Sequence, residues 1–200
     1  MIALWLGLAL AQDRCTYSYT VWDTRQIASI PASPVDKPRS ALTDAERGPM
    51  GCTPCSEDQR ERSLSNGLTF QVCRTIADSV TAALEEALAA GVPIESVSGY
   101  RPIMSKGELD DQGRRTQLSR HAFGVALDIN RDQNGLYGNC AHFGPDCTLL
   151  QGGPWRPGAD PRSLSEGHPV VAALEAAGLR WGGRIEGSQK DFMHFSPDGT

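Results

Sequence analysis

From Phe123 to Ile129 the chain alternates Val125, Leu127 and Ile129 with Gly124, Ala126 and Asp128. Alternation with period two predicts a strand with two different faces. The aliphatic face suits a core. The other face is small apart from one acid, and suits a cleft floor where side chains leave room. His121 lies seven residues before that acid, and His194 lies in Asp191-Phe192-Met193-His194-Phe195 near the C-terminus, a second predicted strand. A fold that gathers these segments collects two imidazoles and a carboxylate, with Asp191 to spare. Two histidines, one acid and an open fourth position form a donor set for catalytic zinc. A spare carboxylate can take a proton from an attacking water. Each of these residues is ordinary alone: His194 could be a hydrogen-bonded core histidine, and Asp128 a turn acid. The combination carries the expectation. One flat strand from 191 to 196 would turn Asp191 and His194 to opposite sides, so Asp191 is expected in the turn before the strand or at a bulge.

The rest of the chain reads as an α+β domain. Two hundred residues are enough to bury one core. Residues 12–65 are broken by Pro31, Pro34, Pro38, Pro49 and Pro54, and read as an irregular segment. Thr69 to Ala90 reads as a helix, with Val72, Ile76, Val80, Leu84 and Leu88 at spacing four and Gly91 after its end. Glu95 to Tyr100 reads as a strand. Ser105 to Leu118 reads as a polar loop over the site, and Arg131 to Ser163 as loop throughout. In the latter, the Gly152–Pro157 run could rim a groove. A second helix is expected from Pro169 to Ala177, and an antiparallel pair from Leu179–Gly183 and Phe192–Ser196. Trp155 and Trp181 could line a pocket or pack in the core. His142 and His168 are expected at the surface.

Met1 to Ala11 is apolar and uncharged, and Ala9-Leu10-Ala11 has the small-x-small form of a signal-peptidase site. A leader at 1–11 with Gln12 as the new N-terminus is therefore expected, although no Lys or Arg precedes the apolar run. It is too short to span a bilayer, so no stable membrane insertion is expected. Six cysteines in a small exported domain suggest disulfides. Cys140 and Cys147 flank a short loop and are expected to pair. Cys15, Cys52, Cys55 and Cys73 allow three pairings. Cys52-Thr53-Pro54-Cys55 also has the form of a redox pair, though no βαβ pattern surrounds it. With 19 basic residues scattered against 24 acidic, a net charge of −5 and no basic stripe, nucleic-acid binding is set aside.

Four motifs in order carry a resemblance. They are Ser98-Gly99-Tyr100-Arg101, then Ser119-x-His121 with Gly124-x-Ala126-x-Asp128, then Trp181-Gly182-Gly183, then Asp191-x-x-His194-Phe195. Together they resemble the D-alanyl-D-alanine carboxypeptidase family of zinc peptidases, which includes VanY-type carboxypeptidases and L-alanyl-D-glutamate endopeptidases. The resemblance covers about Ser96 to Ser196. It implies a hedgehog/DD-peptidase fold, a small antiparallel sheet with packed helices, within a catalytic domain at 66–200. It implies one Zn²⁺ per chain on His121, Asp128 and His194, with Asp191 as general base. It implies substrate contacts from Arg101, Ser119, Tyr100 and Trp181. The expected substrate is then the peptidoglycan stem peptide, and the expected setting a secreted or periplasmic monomer. A different class remains open, a non-catalytic zinc-containing module that binds cell wall. A thiol-redox protein using Cys52 and Cys55 is a third. His-Glu-x-x-His, Ser-x-x-Lys and Gly-x-Ser-x-Gly are absent from the sequence.

Overall fold

The computed structural model describes residues 13–200. The expected leader at 1–11 lies outside the described residues. The N-terminal part holds four short strands, β1 (Arg14–Tyr17), β2 (Thr20–Asp23), β3 (Ala28–Pro31) and β4 (Val35–Pro38), then 3₁₀ turns between Arg39 and Asp58. After these come β5 (Gln59–Ser63) and β6 (Thr69–Cys73), which pair antiparallel. The segment is thus more regular than its prolines suggest. Pro31 and Pro38 end their strands, where a missing N–H costs little. Disulfides Cys15–Cys55 and Cys52–Cys73 pin it. Since Cys52 and Cys55 bond to different partners, the redox-pair reading is set aside. The segment is also woven into the rest of the chain, because β2 runs parallel to β8 (Ile103–Leu109).

The expected long helix starts late. Helix α1 spans Ala77–Ala89, while Thr69–Cys73 is strand β6. Thr69, Phe70 and Val72 favour strand. Phe70 and Val72 are buried where Thr69 and Gln71 are exposed. A spacing of four residues places side chains on one helix face, but it also satisfies a period of two. The expected polar loop at 105–118 is a hairpin of β8 with β9 (Arg115–Leu118). Asp110 Oδ1 closes its turn by accepting from the backbone of Gln112 and Arg114. Both strands are largely polar, so no alternation betrayed them.

Four antiparallel strands form the central sheet, in the order β13 (Arg180–Trp181), β15 (His194–Ser196), β10 (Leu127–Ile129), β7 (Val97–Ser98). A second sheet joins β12 (Thr148–Gln151), β11 (Leu136–Gly138) and β14 (Lys190–Asp191), so the expected loop at 131–163 contains two strands. Helix α2 spans Pro169–Ala176. Its Val170, Val171 and Leu174 meet Val80, Leu84 and Ala87 of α1 in the core, together with Leu127, Ile129 and Phe195 from the sheet. Burying each large aliphatic contributes about 1.5–3 kcal/mol. A smaller cluster of Cys15, Tyr17, Leu42 and Cys55 holds the N-terminal part. Among the described residues no helix is long and apolar enough to cross a membrane.

Cys52–Cys73 ties this N-terminal part to β6 across 21 residues. Replacing both cysteines by serine is expected to lower stability by about 2–4 kcal/mol, from the loop entropy released in the unfolded chain. Thermal unfolding of the variant beside the parent measures it. An unchanged midpoint would show that the hairpin holds without the bridge.

Candidate metal centre

Register in the central sheet builds the centre. Asp128 lies directly opposite His194 on one side and Ser98 on the other. Cross-strand partners share a face, so Asp128 and His194 point the same way. Leu127, paired with Phe195, points into the core. The alternation at 125–129 therefore does as expected, though only Leu127–Ile129 is strand. Residues 120–123 form a 3₁₀ turn that ends at Gly124, with φ +66°. This turn swings His121 over the strand. A Cβ on Gly124 would lie 2.6 Å from the backbone N of Cys73, so only glycine fits there.

Three ligand-type atoms converge. His121 Nε2 is 3.1 Å from Asp128 Oδ1 and 3.2 Å from His194 Nδ1, and His194 Nδ1 is 3.1 Å from Asp128 Oδ1. All three residues are buried. His121 Nδ1 lies 2.8 Å from the Gly99 carbonyl. A carbonyl only accepts, so Nδ1 carries the proton and Nε2 presents its lone pair to the centre. Burial pulls the His121 pKa down, which keeps the imidazole neutral. Burial would push Asp128 up, but the hydrogen bond and charge of His194 oppose it and, with the Arg101 guanidinium at 2.8 Å, hold the carboxylate ionised. A neutral imidazole lone pair and a carboxylate oxygen at this separation both seek a positive partner. Three donors about 3.1 Å apart lie a few tenths of an ångström inside the spacing of about 3.3–3.6 Å around one tetrahedral ion with bonds of about 2.0–2.2 Å. The donor set and its geometry fit zinc.

Arg101 completes the frame. Its Nη2 contacts Asp128 Oδ2 at 2.8 Å, its Nη1 donates to Ser98 Oγ at 3.0 Å, and its backbone N–H donates to the His121 carbonyl. Half the side chain stays exposed, so a substrate can also reach it. Gly99 approaches β6 so closely that a Cβ would lie 2.1 Å from Gln71 O. The Ser98–Arg101 motif thus supplies a carbonyl for one ligand and a guanidinium for another. Its glycine carbonyl and serine hydroxyl are roles that residue type alone does not reveal.

Asp191 belongs to β14, paired with β11, and Phe192-Met193 turn the chain before β15. It is therefore in a separate strand from His194, which removes the alternation conflict. Burial pushes its carboxyl up to about 6 against the pull of His194, while Asp128 adds to the rise; Lys106 and Arg101 oppose it. Lys106 reaches this field from the β8–β9 hairpin, the stretch expected as a loop over the site. Ser119 Oγ, Asp191 Oδ1 and His194 Nε2 are all buried without a protein partner. An unpaired buried polar atom costs about 1–3 kcal/mol, a cost that a ligand reaching Ser119 or Asp191 could offset.

Two expected substrate contacts are placed elsewhere. The Tyr100 hydroxyl donates to the Pro54 carbonyl at 2.7 Å and clamps the N-terminal segment. Trp181 is buried in the core, with Nε1 donating to the Phe192 carbonyl at 2.8 Å. Cys140 and Cys147 pair as expected. His142 is exposed, and His168 caps α2 by accepting from the Val170 N–H.

Residues 112–197, somewhat under half of the chain, match a family model described as D-alanyl-D-alanine carboxypeptidase. The matched span holds His121, Asp128, Asp191 and His194. No curated protein and no solved structure matches the chain.

Proposed function

We propose that the chain is a zinc-dependent peptidase that hydrolyses peptidoglycan stem peptides outside the cytoplasm. The reaction is that of a D-alanyl-D-alanine carboxypeptidase or of an endopeptidase at a D-residue-containing bond. The observation that carries this is the meeting of His121, Asp128 and His194 within one buried triangle, with a spare carboxylate beside it. The family match supports a peptidase, and three disulfides fit an oxidising compartment. The hedgehog/DD-peptidase fold belongs to this reading, with residues 66–200 as the catalytic domain and 12–65 as its pinned N-terminal segment.

His121 Nε2, Asp128 Oδ1 and His194 Nδ1 would hold the ion. Bound there, zinc supplies Lewis acidity to the scissile carbonyl and makes water a nucleophile near neutral pH. Asp191 takes a proton from the attacking water and returns it to the leaving amine. Its Oδ1 is closed off from solvent. Arg101 fixes Asp128 by one arm and offers its exposed edge to a peptide carboxylate or developing oxyanion. Ser119 Oγ, buried without a protein partner, is assigned a hydrogen bond to the substrate beside His121. A purely structural site has no use for a proton acceptor of this kind, so Asp191 favours the enzyme over a cell-wall-binding module.

Asp191 acts as a base only when ionised. With its carboxyl at about 6, kcat/KM is expected to fall as pH drops through about 6. A bound cation beside it draws that limb lower. Asp191→Glu should keep the limb but move its midpoint, while a limb that stays fixed in Asp191→Asn would assign it to another group.

The reading is tested by mass spectrometry of purified muropeptides after incubation with the protein, with and without a zinc chelator. Chelator-sensitive loss of one terminal D-alanine is the carboxypeptidase result. Release of a longer stem fragment is the endopeptidase result. Intact muropeptides with a folded, zinc-loaded protein would move the assignment to the binding module.

A further inference from the structure

We infer that Lys106 is a further substrate-binding residue of the metal centre, aimed by the β8–β9 hairpin to take a carboxylate of the peptide. The inference rests on the peptidase reading and adds to it the cation that recognises the substrate's acidic group.

Strand β8 starts at the centre. The Ser119 N–H donates to the Ile103 carbonyl, and the Arg101 N–H donates to the His121 carbonyl. Lys106 follows three residues after Ile103, about 10 Å along the strand. Regular pairing would keep Met104 and Lys106 on one face. That face belongs to a separate cavity, where Met104 and Leu118 meet Tyr17, Tyr19 and Phe123. Met104 pairs with Leu118 but Lys106 with Gln117, so two residues of β8 advance against one of β9. This bulge reverses the alternation and turns Lys106 to the face opposite Met104. The register shifts again between Lys106 and Leu109. Gly107 lies there with φ +78°, where a Cβ would also stand 2.5 Å from the Gln117 side chain. Bulges re-aim single side chains beside active sites, and here one lies on each side of one lysine.

The charge arrives at the centre. The field of Lys106 acts on both Asp191 and His194, and at Asp191 it acts ahead of that of Arg101. Lys106 is nevertheless exposed, and its side chain makes no ion pair or hydrogen bond among the described residues. Three N–H donors on a flexible stem are therefore open to a ligand. Arg101 is less free, because Nη2 holds Asp128 and Nη1 holds Ser98. An unpaired ammonium beside the centre suits an anion, and in a peptide that anion is a carboxylate. With Lys106 on the carboxylate, the exposed edge of Arg101 is left for a developing oxyanion.

A peptide offers a carboxylate from its C-terminus or from an acidic side chain, and binding measured without turnover separates the two. Zinc-loaded Asp191→Ala protein is titrated by calorimetry with Lys106 intact, as Lys106→Gln and as Lys106→Arg. The probes are a peptide that ends in D-alanyl-D-alanine and carries one glutamate, its C-terminal amide, and its glutamine analogue. Lys106→Gln is expected to weaken the unmodified peptide about tenfold, the scale of a hydrogen bond to a charged group. Lys106→Arg should keep most of the affinity. The loss should vanish for one of the two neutralised peptides, and the one for which it vanishes identifies the carboxylate that Lys106 holds. Unchanged affinity in Lys106→Gln would overturn the assignment. So would equal weakening of all three peptides, or a protein with Lys106 intact that binds the three alike. Muropeptide cleavage reads separately: intact muropeptides would remove the peptidase reading, whereas cleavage with an affinity indifferent to Lys106 would remove this inference alone.

Discussion

Asp191→Ala protein is expected to bind zinc as the parent does and to lose kcat by about 10²–10⁴-fold, the usual contribution of a positioned acid–base group. Asp191 is not among the three converging ligand atoms, so its removal leaves the donor set intact. Its Oδ1 is buried and unpaired, and its carboxyl is raised to about 6. That combination suits a group that must pick up and release a proton near neutrality. A carboxylate kept only for structure would be paired and held low, as Asp58 is by Arg39 and Arg74. Steady-state kinetics on a stem peptide, with metal content measured on the same sample, separates the two roles. Full activity in Asp191→Ala would remove it from the mechanism. Loss of activity together with loss of zinc would make it part of the donor set.

The second large effect is expected at His121. His121→Ala removes one of three donors and leaves the Gly99 carbonyl without its N–H partner, so hydrolysis should fall to background and zinc should be lost to a weak chelator. Arg101→Ala serves as the graded comparison. Arg101 holds the oxygen of Asp128 that faces away from the triangle, and losing such an outer partner commonly weakens metal binding by about 10–100-fold. Competition against a chromophoric chelator reads this without reference to turnover. Arg101→Lys restores charge but not the two-armed contact to Asp128 and Ser98, so it should recover little. If Arg101→Ala binds zinc as tightly as the parent and raises KM alone, its role is confined to substrate.

The three candidate donors were legible because the information is local. Strand alternation around Asp128 survives in the sequence as alternating volumes, and the same alternation sets which side chains share the face with His194. The split between Asp191 and His194 was legible too, as a conflict that a single strand could not satisfy. Its solution, two strands from two different sheets, depends on β11 and could not be read locally. Long-range partnerships were hidden throughout. Nothing in the spacing of Cys15, Cys52, Cys55 and Cys73 distinguishes their three pairings, because the choice is made when β6 docks the N-terminal segment. Thr69–Cys73 was misread as helix because a spacing of four satisfies both periods, and pairing with β5 decided it. The hairpin at 103–118 was misread because strands exposed on much of both faces carry no apolar signal. Tyr100 and Trp181 lie in recognisable motifs, yet their polar atoms are bound to backbone carbonyls. Motif membership located the neighbourhood of the centre and did not say which side chains face it.

The central claim is that His121, Asp128 and His194 hold one zinc ion. Metal analysis of the purified chain, dialysed and reloaded with zinc under native mass spectrometry, tests it directly beside the His121→Ala/His194→Ala double variant. The expected result is one zinc per parent chain and none on the folded double variant. A parent that takes up no zinc, or a double variant that still carries one, would contradict it.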